Sequence, residues 1–223
     1  MDRAGNSLAG AMGRAGVALA STAILGFARA VTAVRPIFAG LPPTDATPRV
    51  FFANHASHGD FVLVWATLPA TTRARARPVA AAEYWTRGAV RSFIGRRVFD
   101  AVLIDRDPVL RTRDPVEQMA EALDQGGSLI VFPEGTRNTT DAPLLPFRSG
   151  LFHLARLRPG VDLVPVWIAN LNRVMPKGGL LPIPLVCTVT FGLPLRAGAD
   201  EPKDAFLARA SGALLALAPR RPA

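Results

Sequence analysis

The sequence predicts an α/β fold with a mostly parallel central sheet flanked by helices. From residue 50 onward, short β-branched and aromatic runs alternate with longer stretches of helical pattern. The short runs are apolar, as expected for strands that helices cover on both faces of a sheet. With 223 residues, 49% hydrophobic and 19% charged, the chain can bury a sizeable core in one α/β domain.

An apolar segment near the N-terminus precedes this alternation. Residues 1–14 are small and polar and are expected to fray, whereas residues 16–28 are uncharged and lie between Arg14 and Arg29. These thirteen residues are fewer than the roughly 20 that span a bilayer. We therefore expect a helix that lies in the membrane interface or docks on the domain, with an amphipathic core helix as the alternative. A signal peptide is disfavoured because Arg29 interrupts the apolar run.

A proline-rich linker over residues 41–49 separates two predicted segments. Residues 1–40 form an N-terminal helical, membrane-interfacial segment, and residues 41–223 form the α/β domain. The predicted strands are 50–53, 78–82, 101–104, 128–132, 163–168 and 185–191. The predicted helices are 60–68, 86–97, 114–125, 149–157 and 201–217. Asp114 is expected to cap the third of these helices, and Pro165 predicts an edge or an end for its strand.

The charge of the chain points to an anionic partner. The net charge is +9, and residues 73–113 hold ten arginines against four acidic residues. Such an excess suits a membrane surface or a phosphorylated ligand. Nucleic acid is the weaker interpretation, because the sequence has no helix-turn-helix, zinc or RNA-binding signature. The single cysteine, Cys187, excludes an internal disulfide and is expected to be a buried, inert thiol in a strand.

A histidine and an aspartate lie in the turn between the first domain strand and the next helix. His55 and Asp60 are five positions apart, and Asp60 is placed to cap the helix that follows. A carboxylate that accepts from one imidazole nitrogen fixes the tautomer and steadies the imidazolium formed when the other nitrogen takes a proton. No serine or cysteine at the usual nucleophile spacing accompanies the pair, so the substrate's own hydroxyl is the expected nucleophile.

Two further turns carry groups suited to phosphate. Residues 131–138 (VFPEGTRN) follow a buried strand and place acid, glycine, hydroxyl and arginine in one turn. The glycine lets the backbone approach a ligand closely, and the threonine and arginine supply donors. Residues 101–107 (AVLIDRD) form a strand that ends in an arginine, whose planar fork suits a phosphate.

Taken in order, these motifs resemble those of the glycerolipid acyltransferase family that includes 1-acylglycerol-3-phosphate acyltransferase. The four blocks are His55 to Asp60, residues 103–106 (LIDR), residues 132–137 (FPEGTR) and residues 164–166 (VPV), and together they cover about residues 50–170. The resemblance implies transfer of a fatty acyl chain from an acyl-CoA or acyl-carrier-protein thioester to a lysophospholipid hydroxyl. It also implies that the reaction needs no metal or resident cofactor.

The resemblance assigns roles to seven residues. His55 is the general base and Asp60 orients it, with His58, inside the same block, as the alternative base. The acceptor-binding residues are Arg106, Glu134, Gly135, Thr136 and Arg137. The most fitting acceptor is 1-acylglycerol-3-phosphate, and the implied location is the cytoplasmic face of the cell membrane, as a peripheral or monotopic protein. The alternatives are an acyltransferase or transacylase that acts on another lysolipid, and a non-catalytic module that binds anionic membranes.

Overall fold

The computed structural model describes residues 3–40, 42–105, 107, 109, 111–170 and 186–219, with the backbone alone for residues 3–12. Seven strands form one sheet: β1 (Arg35–Phe38), β2 (Arg49–Ala53), β3 (Ala76–Ala81), β4 (Val102–Ile104), β5 (Ser128–Val131), β6 (Asp162–Ala169) and β7 (Thr188–Phe191). The helices are α1 (Arg3–Thr32), α2 (Asp60–Thr67), α3 (Ala70–Arg73), α4 (Ala82–Trp85), α5 (Ala89–Phe93), α6 (Pro115–Asp124), α7 (Gly150–Leu157) and the C-terminal helix (Lys203–Leu215).

The sheet has the order β1-β7-β6-β2-β5-β3-β4 and is mostly parallel. Strands β6, β2, β5, β3 and β4 run in one direction, whereas β7 is antiparallel to β6 and β1 is parallel to β7. Helices α1 and α2 cover one face, and α6, α7 and the C-terminal helix cover the other. The α/β prediction is therefore confirmed.

The central strand β2 shows why the sheet needs cover on both faces. Phe51 packs into the core beneath α1 and α2, whereas Val50 and Phe52 pack into the core on the opposite face, and all three are 0% exposed. Since successive strand residues point to opposite faces, an apolar run of this kind is stable only between two helical layers.

Asp114 caps α6 as predicted. Its Oδ1 accepts hydrogen bonds from the backbone N–H groups of Val116 at 2.6 Å and Glu117 at 3.4 Å. The helix ends at Asp124 and is followed by Gly126, whose φ of +82° lies in the region that favours glycine.

Several predicted boundaries need correction. The helix predicted over 86–97 begins at Ala89 and consists of α5 and a π-helical turn (Ile94–Val98). Gly88, with a φ of +86°, separates it from α4. Strand β1 was not predicted, because its four residues are mostly exposed and include a proline. It joins the sheet although it precedes residue 41, where the α/β domain was expected to start, and the division into two segments stays a prediction. Residue 185, the predicted start of the last strand, lies outside the described residues.

The prediction that Pro165 marks a strand edge or end is wrong. Strand β6 lies between β2 and β7, and Pro165 is its fourth residue. Pairing with β7 covers only Val166–Ala169, and the Pro165 carbonyl accepts from the N–H of Gly192, just beyond β7. The missing proline N–H therefore falls where the antiparallel ladder has ended and no donor is required.

The first helix is longer than the sequence suggested. Within α1, the 20-residue segment Gly13–Thr32 contains an 18-residue window with a mean hydropathy of 1.5, and 11% of the residues in that window are buried. By length and composition this segment can therefore cross a membrane. The expectation of a thirteen-residue apolar segment too short to span is therefore wrong. Arg14 and Arg29 lie within a continuous helix instead of bounding a short one.

Candidate active site

The site lies at the edge of the sheet where the parallel strands end. Strands β2 and β5 are neighbours, and Phe52 of β2 is in register with Val131 of β5. The loops that leave their carboxyl ends therefore begin side by side. Residues 54–59 and residues 132–149 are far apart in sequence but adjacent in space for this reason.

His55 and Asp60 form a hydrogen-bonded pair at this edge. His55 Nδ1 lies 2.9 Å from Asp60 Oδ2, and the two side chains are 16% and 2% exposed respectively. The imidazole also stacks on Phe132, with ring centroids 4.1 Å apart. Within the described ranges no hydrogen bond engages His55 Nε2, so this nitrogen is available to accept a proton from a substrate.

The buried carboxylate of Asp60 is held by the loop that precedes it. Oδ2 accepts from the backbone N–H groups of Ala56 at 2.7 Å and Ser57 at 2.8 Å, in addition to its contact with His55. The prediction that Asp60 caps α2 is therefore wrong, because the N-cap position is occupied by Gly59. Asp60 is instead the first residue of the helix, where the helix dipole also favours a negative charge.

Glu134 fastens the loop after β5 to the loop that carries His55. Oε1 accepts from the N–H of His55 and Oε2 from the N–H of Leu145, each at 2.8 Å, while the N–H of Asn138 donates to the His55 carbonyl at 2.6 Å. Burial raises the pKa of Glu134, against the opposing effect of the two N–H donors. With both oxygens engaged and the residue 3% exposed, the geometry favours a positioning role, and acceptor binding by Glu134 stays a prediction.

We expect Glu134→Gln to destabilise the protein by about 1–3 kcal/mol, because an amide NH₂ would face a backbone N–H that needs an acceptor. Turnover should fall as well, since the His55 backbone loses its tether. Urea unfolding and turnover, measured beside the exposed control Glu117→Gln, check both effects. A Glu134→Gln protein as stable and active as this control would contradict the positioning role.

The glycine of the same turn makes room for an arginine. Gly135 has a φ of +70°, and an added Cβ would lie 2.5 Å from Cδ of Arg148. The backbone N–H of Arg148 donates to the Pro133 carbonyl at 2.8 Å. Glycine is thus required here by the backbone conformation and by the close approach of Arg148.

A cavity of about 720 Å³ joins the His55–Asp60 pair to this turn. His55, Gly135, Thr136 and Arg137 all line it. Its exposed lining residues include four arginines, Arg87, Arg111, Arg137 and Arg148, and one acid, Glu83. Its interior is apolar and includes Val79, Ile104, Met119, Leu151 and Leu154. The cavity therefore offers a proton acceptor between a basic rim and an apolar interior.

Two further residues named from the sequence are Arg106 and the alternative base His58. Arg106 lies outside the described residues, so its acceptor role stays a prediction. His58 lines the cavity but stacks on Tyr84 at 5.2 Å, and Asp60 pairs with His55 instead. Burial, followed by the positive charge of Arg137, lowers the pKa of His58. The geometry favours His55 over His58 as the base.

Sequence reasoning missed residues whose role depends on distant contacts. Asn54 donates to the Ile168 carbonyl at 3.0 Å and accepts from the Ile168 N–H at 2.7 Å, which ties the end of β2 to β6. Arg148 lines the same cavity although it lies eleven positions after Arg137. Only the position of Asn54 directly before His55 could have signalled its importance.

The Acyltransferase family model matches residues 38–169, more than half of the chain. The chain belongs to the acyltransferase family. This confirms the resemblance read from the four sequence blocks. The matched segment contains His55, Asp60 and residues 134–137.

Curated relatives of this acyltransferase-family chain share a common description. It is 34% identical over 133 residues to a human 1-acyl-sn-glycerol-3-phosphate acyltransferase alpha, which covers 58% of this chain and 42% of the human protein. It is 28% identical over 137 residues to a 1-acyl-sn-glycerol-3-phosphate acyltransferase from Haemophilus influenzae, covering 56% of this chain and 51% of that protein. The matches thus span about half the length of these relatives, or less.

A solved structure shares the fold of this family member. The 1-acyl-sn-glycerophosphate (LPA) acyltransferase PlsC from Thermotoga maritima superposes with a TM-score of 0.64 at 22% sequence identity. The superposition covers 88% of this chain and 77% of the other. At this identity the likeness concerns the fold.

Proposed function

We propose that the protein transfers a fatty acyl chain from a thioester to the free hydroxyl of 1-acylglycerol-3-phosphate, giving phosphatidate. The observation that carries this proposal is the single cavity that holds His55 together with the turn at residues 135–137. A base beside arginines suits a phosphorylated alcohol, and an apolar interior suits an acyl chain. The names of the relatives support the same acceptor.

The reaction follows from the groups present. A lipid hydroxyl is too weak an acid to ionise near neutrality, so His55 Nε2 takes its proton as the oxygen attacks the thioester carbonyl. Asp60 accepts from Nδ1–H and stabilises the imidazolium. The new C–O bond creates a tetrahedral oxyanion, which collapses with cleavage of the C–S bond. The imidazolium then returns its proton to the departing thiolate.

The donor is an acyl-CoA or an acyl carrier protein thioester, and the proposed chemistry uses no metal or resident cofactor. In the part of the chain that the structure describes, no three His, Cys, Asp or Glu residues lie close enough to hold a metal ion. The apolar surface of α1 supports membrane association, and we propose the cytoplasmic face of the cell membrane as the location.

A thiol-release assay tests the proposal. Purified protein is incubated with each thioester donor and with a panel of lysolipids that includes 1-acylglycerol-3-phosphate, and free thiol is followed over time. We expect release that depends on both donor and acceptor and is greatest with the phosphate monoester. Thiol release without an acceptor, or at equal rates with lysolipids of different headgroups, would contradict the assignment.

Arg137 is expected to recognise the acceptor phosphate. Arg137→Ala should raise the KM for 1-acylglycerol-3-phosphate by about ten- to a hundredfold, since a charge-assisted hydrogen bond is worth roughly 1.5–3 kcal/mol. The value of kcat should change less, because His55 is untouched. Lys203→Ala, a cation on the C-terminal helix remote from the cavity lining, is the matched control. An unchanged KM in Arg137→Ala would exclude a phosphate role for this side chain.

A further inference from the structure

A second cavity, of about 800 Å³, lies at the opposite edge of the sheet from His55. It is bordered by Ala76, the first residue of β3, and by Gly127, which directly precedes β5. His55, by contrast, follows the carboxyl end of β2. Because these strands are parallel, the length of the sheet separates the second cavity from the candidate active site.

The second cavity is strongly basic. Four arginines line it, Arg73, Arg75, Arg77 and Arg97, and Asp100 is the one acidic residue among its lining residues. Arg77 Nε pairs with Asp100 Oδ2 at 3.1 Å, and the Arg73 guanidinium lies 5.7 Å from the Trp65 ring centroid. Burial, followed by the nearby positive charge of Arg29, lowers the pKa of Arg73.

Two of these arginines are available to a ligand. Among the described residues no acidic side chain lies within ion-pair distance of Arg75 or Arg97, and both are exposed. Guanidinium groups of this kind bind phosphate through paired N–H donors. The cavity can therefore receive an anion without breaking an existing salt bridge at either residue.

Helix α1 forms one wall of the cavity, through Val17, Ser21, Thr22 and Leu25. On the same helix, Leu19 and Phe27 are 74% and 69% exposed. An exposed apolar helix beside unpaired arginines matches the two parts of an anionic lipid, its acyl chains and its phosphate.

We propose that this second cavity binds the phosphate headgroup of an anionic membrane phospholipid, with Arg75 and Arg97 as its main contacts and α1 in contact with the lipid chains. The site is separate from the cavity proposed for the acceptor and does not depend on the proposed acyl transfer. A lipid suits the site better than a soluble phosphate compound does, because the helix that forms one wall also exposes apolar Leu19 and Phe27.

The test compares two double variants with the same loss of charge. Arg75→Gln with Arg97→Gln alters the cavity, and Arg35→Gln with Arg96→Gln removes two exposed arginines that do not line it. Flotation measures binding of each full-length protein to phosphatidylcholine vesicles with and without phosphatidylglycerol. We expect the cavity variant to bind the anionic vesicles roughly 30-fold more weakly than wild type, at about one factor of five per arginine. The control should lose much less, and binding to neutral vesicles should be similar in all three proteins.

Three other outcomes would contradict the proposed lipid site. Equal losses in both double variants would show diffuse electrostatic attraction, and unchanged binding by the cavity variant would exclude the arginines. Saturable binding of inorganic phosphate by wild type in solution, lost in the cavity variant while its vesicle binding is unchanged, would assign the cavity to soluble phosphate. Thermal unfolding and thiol release in detergent should be unchanged in the cavity variant, which separates this result from a failure of the proposed acyl transfer.

Discussion

Replacing His55 by alanine should lower turnover by about 10²–10⁴-fold or to background, because the acceptor hydroxyl then has no group to take its proton. The rest of the site should persist. The His55 backbone contacts to Glu134 and Asn138 do not involve the ring, and Asp60 keeps its two backbone donors. We therefore expect the His55→Ala variant to fold normally and its kcat to fall. Thiol release and circular dichroism measure the two properties.

Two histidine controls sharpen this experiment. His153 is exposed on α7 and does not line the cavity, so His153→Ala should behave as wild type. His58 lines the cavity without contacting Asp60, so His58→Ala should cost much less activity than His55→Ala. Wild-type-like turnover in His55→Ala would refute its role as the base, and loss confined to His58→Ala would transfer that role to His58.

Asp60→Asn should reduce kcat by about 10³-fold or more while leaving the acceptor KM nearly unchanged, following the behaviour of histidine–carboxylate pairs in which the carboxylate stabilises the imidazolium. The amide oxygen can still accept from Ala56 and Ser57, so the loop geometry is retained. What is lost is the negative charge beside His55 Nδ1, 2.9 Å away. Steady-state kinetics at varied acceptor concentration measure kcat and KM separately.

The matched control for this charge removal is Asp204→Asn, on the exposed side of the C-terminal helix, where the carboxylate side chain is 92% exposed. It should leave both kinetic constants unchanged and lower the free energy of unfolding by no more than about 1 kcal/mol, the contribution of an exposed carboxylate in the first turn of a helix. If Asp60→Asn kept turnover within about twofold of wild type, the carboxylate would be structural only, since a catalytic ion pair contributes far more than that.

Much of the fold could be predicted from local pattern. The short apolar runs identified six of the seven strands, and the alternation with helices predicted the parallel sheet. Strand β1 was missed because its residues carry no apolar run. It is stabilised by pairing with β7, in which Arg35 is in register with Thr188, 153 positions later. The length of α1 was underestimated for a similar reason, since isolated arginines interrupt an apolar pattern without ending a helix.

Part of the candidate active site likewise follows from local sequence, and part depends on the tertiary structure. The spacing of His55 and Asp60 is a local property, and the six-residue loop 54–59 between β2 and α2 brings the two side chains together. The approach of residues 134–137 depends on β2 and β5 being neighbours, which no local pattern encodes. Sequence shows the chemistry of the Glu134 carboxylate but not which N–H groups engage its oxygens, so its contacts with His55 and Leu145 are known only from the structure.

The arginines of residues 73–113 show where sequence information ends. Their number and the resulting positive charge follow from composition alone, and so does the preference for an anionic partner. Their distribution is a tertiary result. Arg87 and Arg111 line the candidate active site, whereas Arg73, Arg75, Arg77 and Arg97 line a cavity at the opposite edge of the sheet. The sequence by itself determined the chemistry available, the strand and helix pattern, and the His55–Asp60 pair, because each depends on residues close together in the chain. Only the tertiary structure decided which of those groups meet, because strand order and helix packing set distances between residues that are remote in sequence.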